Sequence, residues 1–135
     1  MIGLDTNVLV RLLVRDDAKQ ALAAQALVEA RCSPGEPGFI NSVVLCELFW
    51  VLETAYRYQR RDISKAIGTL LRVSSLAVER ADAVWAALKE YQQAAGTDFA
   101  DSLLSRINLE KGCAHTVTFD RTAVKSVGFK LIGLS

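Results

Sequence analysis

The stretch Ile2-Gly3-Leu4-Asp5-Thr6-Asn7-Val8-Leu9-Val10 contains a short apolar strand, a carboxylate and the beginning of an apolar helix. The carboxylate therefore stands where a strand ends and a helix begins. Short β-branched or apolar segments alternate with segments of helical periodicity along the rest of the chain. This alternation predicts an α/β fold, a three-layer α/β/α sandwich with a short, central, mostly parallel sheet.

The expected elements follow from periodicity and from residues that cap or stop helices. We expect a single domain over residues 1–135, because the chain has the length of one domain and shows no linker or repeat. Ser42 is expected to cap the third helix, and Asp62 or Ser64 the fourth. The expected strands are 2–4, 39–40, 76–78, 116–119 and 129–132, and the expected longer helices are 7–14, 17–31, 42–58, 62–72, one around 84–91, and 98–111.

Composition excludes several classes of protein. The 135 residues are 51% hydrophobic, and 16 basic residues nearly balance 15 acidic ones, so net charge gives no indication of nucleic-acid binding. Cys32, Cys46 and Cys113 lack the spacing of a zinc ribbon and predict reduced core thiols. No apolar run has the length of a membrane span, and the first residues lack the basic region of a signal peptide. We therefore expect a cytoplasmic protein without a membrane segment.

Two carboxylates directly follow expected strands. Asp5 follows the first strand and Asp120 follows the strand at 116–119. Ligands of parallel α/β sheets bind beyond the carboxyl ends of the strands, so both residues are site candidates. Each also precedes a helix, and a helix cap is the alternative for each residue taken singly.

Glu47 interrupts an apolar segment of the third helix. Val43, Val44, Trp50 and Val51 lie about one turn from it, and no basic residue does. A carboxylate facing the core costs several kcal/mol unless it is paired or binds a metal. Glu47 is therefore a site candidate, and the alternative is a glutamate at the edge of the apolar stripe.

Asp98 and Asp101 are three residues apart at the start of a helix, where they would lie close together. Taken alone, they are explained as a cap and as an acid favoured by the helix dipole. As part of a larger acidic set they would repel, by roughly 3 kcal/mol per pair about 5 Å apart at an effective dielectric of 20. Protons or a cation must neutralise such a set, and oxygen ligands favour magnesium or manganese.

Other catalytic schemes lack the residues they need. The single histidine, His115, precedes its strand and should lie at the opposite edge of the sheet, so Ser–His–Asp and Cys–His mechanisms have no base. The chain contains neither a Walker A sequence nor a GxGxxG sequence. Metal-assisted attack of water on a phosphodiester remains.

Four motifs, in order along essentially the whole chain, resemble those of PIN domains, and within that family they look most like VapC-type toxins of type II toxin–antitoxin pairs. Together they are more specific than any one of them alone. The motifs are Asp5-Thr6-Asn7-Val8-Leu9-Val10, Ser42-Val43-Val44-Leu45-Cys46-Glu47-Leu48, Asp98-Phe99-Ala100-Asp101-Ser102-Leu103-Leu104 and Thr118-Phe119-Asp120-Arg121.

The resemblance implies an endoribonuclease that cleaves single-stranded RNA with Mg²⁺ or Mn²⁺. It also implies a homodimer and a cognate antitoxin that docks on the toxin's helices. Asn7 matches a position that orients the first carboxylate or a bound water. The implied catalytic acids and metal ligands are Asp5, Glu47, Asp101 and Asp120, with Asp98 as an additional metal ligand that ranks below Asp101.

Basic and aromatic side chains offer further expectations. Arg11 and Arg15 follow the first motif and are candidates for RNA binding, with solvated helix ends as the alternative. For a second basic group, near residues 57–65, solvated helix ends are the favoured interpretation. Core packing is expected for Phe49 and Trp50.

Rival functions lack particular residues. A receiver-like, magnesium-binding phosphoacceptor usually has adjacent acids after its first strand, whereas Thr6 and Asn7 follow Asp5 here. An aspartyl phosphatase would have a second Asp at the position of Asn7. A structure-specific DNA nuclease usually has longer insertions. A non-catalytic PIN-like binding module is disfavoured because all four acids are present.

Overall fold

The computed structural model describes residues 1–133, which form two compact units. Unit 1 is Met1–Ala81, and unit 2 begins at Asp82. The elements of unit 1 are β1 (Ile2–Gly3), α1 (Thr6–Val14), α2 (Ala18–Arg31), β2 (Gly38–Ile40), α3 (Ser42–Thr54), α4 (Arg60–Arg72) and β3 (Leu76–Val78). Those that follow are α5 (Ala81–Gln93), α6 (Phe99–Glu110), β4 (Thr116–Thr118), a 3-10 helix (Ala123–Lys125) and β5 (Phe129–Leu131).

The sheet of unit 1 is parallel, with the strand order β1-β2-β3. Gly38 of the central strand pairs with Ile2 on one side and with Leu76 on the other. A Cβ at Gly38 would lie 2.9 Å from Leu4 Cδ1 and 3.0 Å from Cys32 Sγ, so a larger residue here would require these side chains to shift. Because all three strands run the same way, the residues that follow them leave the sheet at one edge.

The core of unit 1 is built around one face of α3. Leu45, Leu48 and Leu52 of this face are completely buried. Their spacing of three and four residues places them on one stripe of the helix. Each such side chain contributes about 1.5–3 kcal/mol through burial. This stripe fixes the rotation of α3 and therefore the direction of every other side chain on it.

Unit 2 has its own apolar contacts. The rings of Tyr91 on α5 and Phe99 on α6 meet edge to face, with centroids 6.4 Å apart. Strands β4 and β5 pair in parallel, with Thr116 opposite Phe129 and Thr118 opposite Leu131. The strand β4 thus leads directly into the fourth motif.

Several helix boundaries differ from the sequence prediction. The cap of α3 is Asn41, whose side chain accepts a hydrogen bond from Val44 N–H at 2.8 Å, and not Ser42. This helix ends at Thr54. Gln59 precedes α4, which begins before Asp62 and Ser64. Both helices begin at residues outside the apolar repeat, and apolar periodicity alone therefore does not locate their starts.

The expectation of three core thiols is wrong for one cysteine. Cys32 is buried and Cys46 half-buried, but Cys113, in the connection between α6 and β4, is exposed. Within residues 1–133, no helix combines the length and the apolar character needed to cross a membrane. The single domain over residues 1–135 stays a prediction.

Candidate active site

Asp5 stands between β1 and α1, as the sequence predicts. The chain is still extended at Leu4, whose N–H donates to the Phe39 carbonyl at 2.9 Å. Asp5 then occupies the N-cap of α1, and its Oδ1 accepts a hydrogen bond from Thr6 N–H at 2.8 Å. The residue is exposed. Its carboxylate is therefore anchored through one oxygen, and the side chain remains accessible to solvent.

Asn7 is exposed on the first turn of α1. It lines an open groove of about 290 Å³ between α1 and α2. The groove is mostly apolar and is lined by Asn7, Val8, Arg11, Gln20, Ala23, Ala24 and Leu27. The first motif thus borders a surface depression.

The two arginines proposed for RNA binding differ in their surroundings. Arg11 donates to Asp16 Oδ1 at 2.8 Å and to the Tyr56 hydroxyl at 3.3 Å. Arg15 is exposed at the C-cap of α1, and its guanidinium donates to the neutral amide oxygen of Gln25. The charge of Arg11 is therefore partly compensated within the protein, whereas that of Arg15 meets a neutral partner.

Glu47 is exposed, and the expectation that it faces the core is wrong. The buried stripe of α3 lies on the other side of the helix. Val43 and Trp50, one turn away on either side, are 75% and 64% exposed. The expectation of core packing for Trp50 is also wrong, although Phe49 is buried. Glu47 thus interrupts an exposed apolar stripe, not a core stripe.

Glu79 is a residue that the sequence analysis missed. It directly follows β3, and its Oε1 accepts a hydrogen bond from Ser42 N–H at 2.8 Å. This bond to a backbone N–H lowers the pKa of Glu79, and nearby Arg80 lowers it further, against the opposing effect of burial. The rule that polar residues after strands are site candidates would have found it. Glu79 holds the first turn of the helix that carries Glu47.

Asp98 immediately precedes α6, and Asp101 lies on the first turn of that helix. Asp98 occupies the N-cap, but its side chain makes no capping hydrogen bond. The explanation of Asp98 as a side-chain cap therefore does not hold. Asp101 is half-buried one turn further on.

Asp120 follows β4 within a tight turn. Its Oδ1 accepts a hydrogen bond from Thr122 N–H at 2.8 Å, and its own N–H donates to Thr118 Oγ1 at 2.9 Å. The residue is exposed, and these local bonds fix the backbone that presents it.

In unit 2, Asp101 lies within electrostatic range of two other predicted acids, Asp98 and Asp120. Burial raises the pKa of Asp101, and the negative charges of Asp98 and Asp120 raise it further. Asp5 and Glu47 belong to unit 1. Among residues 1–133, no three His, Cys, Asp or Glu side chains are arranged so that they could hold a metal ion as they stand.

The chemistry of this acidic cluster fits a hard cation. Its donors are carboxylate oxygens alone, which are ligands for magnesium or manganese. Burial contributes most to the raised pKa of Asp101, and the nearby negative charges of Asp98 and Asp120 act in the same direction. His115 directly precedes β4, so it lies at the opposite end of that strand from Asp120.

Comparison with known proteins identifies the family of this chain. Residues 2–130 match the family model of the PIN domain. The chain belongs to the PIN-domain family. The predicted α/β fold of that family is confirmed.

This PIN domain is also similar to a curated relative. It is 33% identical over 129 residues to the VapC ribonuclease of Aquifex aeolicus (strain VF5). The matched region covers 96% of this chain and 93% of that protein. The resemblance to VapC-type PIN domains is therefore confirmed along the chain.

Proposed function

We propose that this PIN domain is a metal-dependent endoribonuclease that cleaves single-stranded RNA and acts as the toxin of a toxin–antitoxin pair. The observation that carries the proposal is the acidic cluster of unit 2, in which burial and then the negative charges of Asp98 and Asp120 raise the pKa of Asp101. Repulsion among carboxylates destabilises a protein unless protons or a bound cation neutralise their charge. The likeness to a VapC ribonuclease supports RNA as the substrate.

We propose Mg²⁺ or Mn²⁺ as the cofactor, with Asp5, Glu47, Asp98, Asp101 and Asp120 as its ligands. A bound divalent cation supplies Lewis-acid activation of water and compensates charge on the phosphodiester. Asp5, Glu47, Asp101 and Asp120 also serve as the catalytic acids. Asn7 orients the Asp5 carboxylate or a bound water. The Thr6 N–H bond leaves the second oxygen of Asp5 for a ligand.

Arginine side chains of unit 1 are proposed to bind the RNA backbone. Arg15 is the better candidate, because its hydrogen-bond partner Gln25 is neutral and does not compensate the positive charge of the guanidinium. Arg11 forms an ion pair with Asp16, which compensates its charge, so Arg11 contributes less to RNA binding. Contacts to phosphate of this kind are independent of RNA sequence and weaken with salt.

The proposed partners are a cognate antitoxin and a second copy of the chain, in the cytoplasm. Leu22 of α2 is 65% exposed, and Leu27 lines the groove between α1 and α2. Exposed apolar residues beside a groove are typical of surfaces that another protein covers. This surface supports an antitoxin that docks on the helices, as expected from the resemblance.

The test uses purified, antitoxin-free protein and a panel of single-stranded RNAs, with Mg²⁺ or Mn²⁺ and with EDTA. We expect cleavage that EDTA and Asp5→Asn both abolish. Asp17→Asn is the matched control, because Asp17 is likewise an N-cap aspartate, accepting from Gln20 N–H, but stands outside the motifs. Both substitutions keep a side chain that caps well.

Three results would count against the proposal. Folded, metal-bound protein that cleaves none of the RNAs would argue for a non-catalytic PIN-like binding module. Cleavage that persists in EDTA would exclude the metal mechanism. Cleavage that persists in Asp5→Asn would remove Asp5 from the site.

A further inference from the structure

Glu90 of α5 lies outside all four motifs, yet its carboxylate is the centre of a hydrogen-bond network. Its side chain is 10% exposed. Oε2 accepts hydrogen bonds from Ser102 Oγ at 2.8 Å and from Arg106 Nη2 at 3.0 Å. Oε1 accepts a hydrogen bond from Val127 N–H at 2.9 Å. All three donors lie in unit 2.

The donors belong to the two segments of unit 2 that carry the candidate acids. Ser102 directly follows Asp101 on α6 and is 1% exposed. Val127 lies between the 3-10 helix and β5, in the segment that returns from Asp120. Ser105 Oγ also donates to the Val127 carbonyl at 2.6 Å, so the backbone N–H and the backbone carbonyl of Val127 both have hydrogen-bond partners. Glu90 thus connects α5 by hydrogen bonds both to α6 and to the segment that follows Asp120.

The network requires a carboxylate. Burial alone would raise the pKa of Glu90, but the hydrogen bonds from Ser102, Val127 and Arg106 lower it below its usual 4.5. Glutamine has the same shape but offers only one oxygen. Its amide N–H₂ would therefore face either Val127 N–H or the Arg106 guanidinium, and one donor would lose its acceptor.

We propose that Glu90 is a positioning residue of the nuclease site, which holds Asp101 through Ser102 and the segment after Asp120 through Val127. The inference rests on the proposed function, because it concerns the same acids. When a residue that hydrogen-bonds to and orients metal ligands is replaced, metal affinity or activity typically falls by 10–100-fold.

The test compares Glu90→Gln with wild type in two measurements. Calorimetric titration of metal-free protein with Mn²⁺ gives the dissociation constant, and RNA cleavage gives kcat and KM separately. We expect about 10-fold weaker Mn²⁺ binding or about 10-fold lower kcat, with KM for RNA nearly unchanged. Glu110→Gln, the same change at an exposed position near the end of α6, should behave as wild type.

The outcomes separate the two proposals. Wild-type protein that binds Mn²⁺ and cleaves RNA, together with a folded Glu90→Gln variant that does both equally well, overturns this inference alone. Wild-type protein that does neither overturns the proposed function. If Glu90→Gln does not fold, Ser102→Ala provides the test. It removes only one hydroxyl of the network, and we expect it to weaken Mn²⁺ binding several-fold. Unchanged Mn²⁺ binding and kcat in Ser102→Ala would then contradict the inference.

Discussion

The Glu79 carboxylate accepts a hydrogen bond from the backbone N–H of Ser42 at 2.8 Å. A residue at the end of β3 therefore satisfies one of the N–H groups that the first turn of α3 leaves without an intrahelical partner. Asn41 satisfies another, at Val44. Together the two side chains fix the start of the helix on which Glu47 lies.

Replacing Glu79 should destabilise the protein in a pH-dependent way. Glu79→Ala should cost about 1 kcal/mol at neutral pH, the usual effect of losing a side-chain cap, and Glu79→Gln should cost less because its amide oxygen still accepts. The folded-state pKa of Glu79 is lowered, so its stabilisation is complete above 4.5 and is lost as pH falls through the folded-state pKa. Urea unfolding at several pH values measures this. An Ala effect that stays constant from pH 7 to pH 3 would contradict it.

Replacing Asp101 should make the metal-free protein more stable. Asp101→Asn relieves repulsion from Asp98 and Asp120, and we expect a gain of about 0.5 kcal/mol in the free energy of unfolding. At 100 times its dissociation constant, Mn²⁺ should stabilise the wild type by about 2.7 kcal/mol and the variant by much less. Thermal unfolding with EDTA and with Mn²⁺ gives both quantities, and Asp82→Asn is the control. Equal stabilisation of variant and wild type by Mn²⁺ would exclude Asp101 as a ligand.

Two nearby residues of α3 should lose very different amounts of stability on truncation. Leu48 is completely buried, so Leu48→Ala should cost about 2–5 kcal/mol. Trp50 is 64% exposed, so Trp50→Ala should cost less than about 0.5 kcal/mol despite the larger side chain removed. Chemical denaturation at low protein concentration measures both. A large loss in Trp50→Ala would show that this face is covered in the free protein.

Arg15 should contribute to the salt dependence of RNA binding. In an Asp5→Asn background that does not cleave, Arg15→Gln should reduce the slope of log affinity against log salt by about 0.7, the value for one phosphate contact on a single strand. Fluorescence anisotropy with a short labelled RNA gives the slope. Arg31→Gln, an exposed arginine at the end of α2, should leave the slope unchanged. Equal slopes in all three proteins would remove Arg15 from the RNA-binding surface.

The sequence predicted the strands and most helices, because their apolar periodicity directly reflects burial. Leu45, Leu48 and Leu52 recur at helical spacing and are completely buried. The start of α3 was less accessible to prediction, since Asn41 and Ser42 are both good capping residues and only the backbone geometry distinguishes them. Family membership could be predicted because the four motifs, in their order, are all visible in a single sequence.

The surroundings of individual site residues were predicted less well. Glu47 has apolar neighbours in sequence, and the sequence alone did not reveal that Val43 and Trp50 are exposed. The roles of Glu79 and Glu90 depend on backbone N–H groups 37 residues away in each case. Such bonds leave no local pattern, because their donors carry no side-chain signature.

The capping bond of Asp5 affects how loss-of-function experiments should be interpreted. One carboxylate contributes both to the folding of α1, through Thr6 N–H, and to the proposed chemistry, so an alanine at this position confounds misfolding with inactivity. Asparagine separates the two effects, since it retains the acceptor and removes the charge. The same dual requirement limits the substitutions that can keep both properties of this position. A neutral capping residue preserves the helix but removes the charge, whereas aspartate supplies both the capping oxygen and the charge.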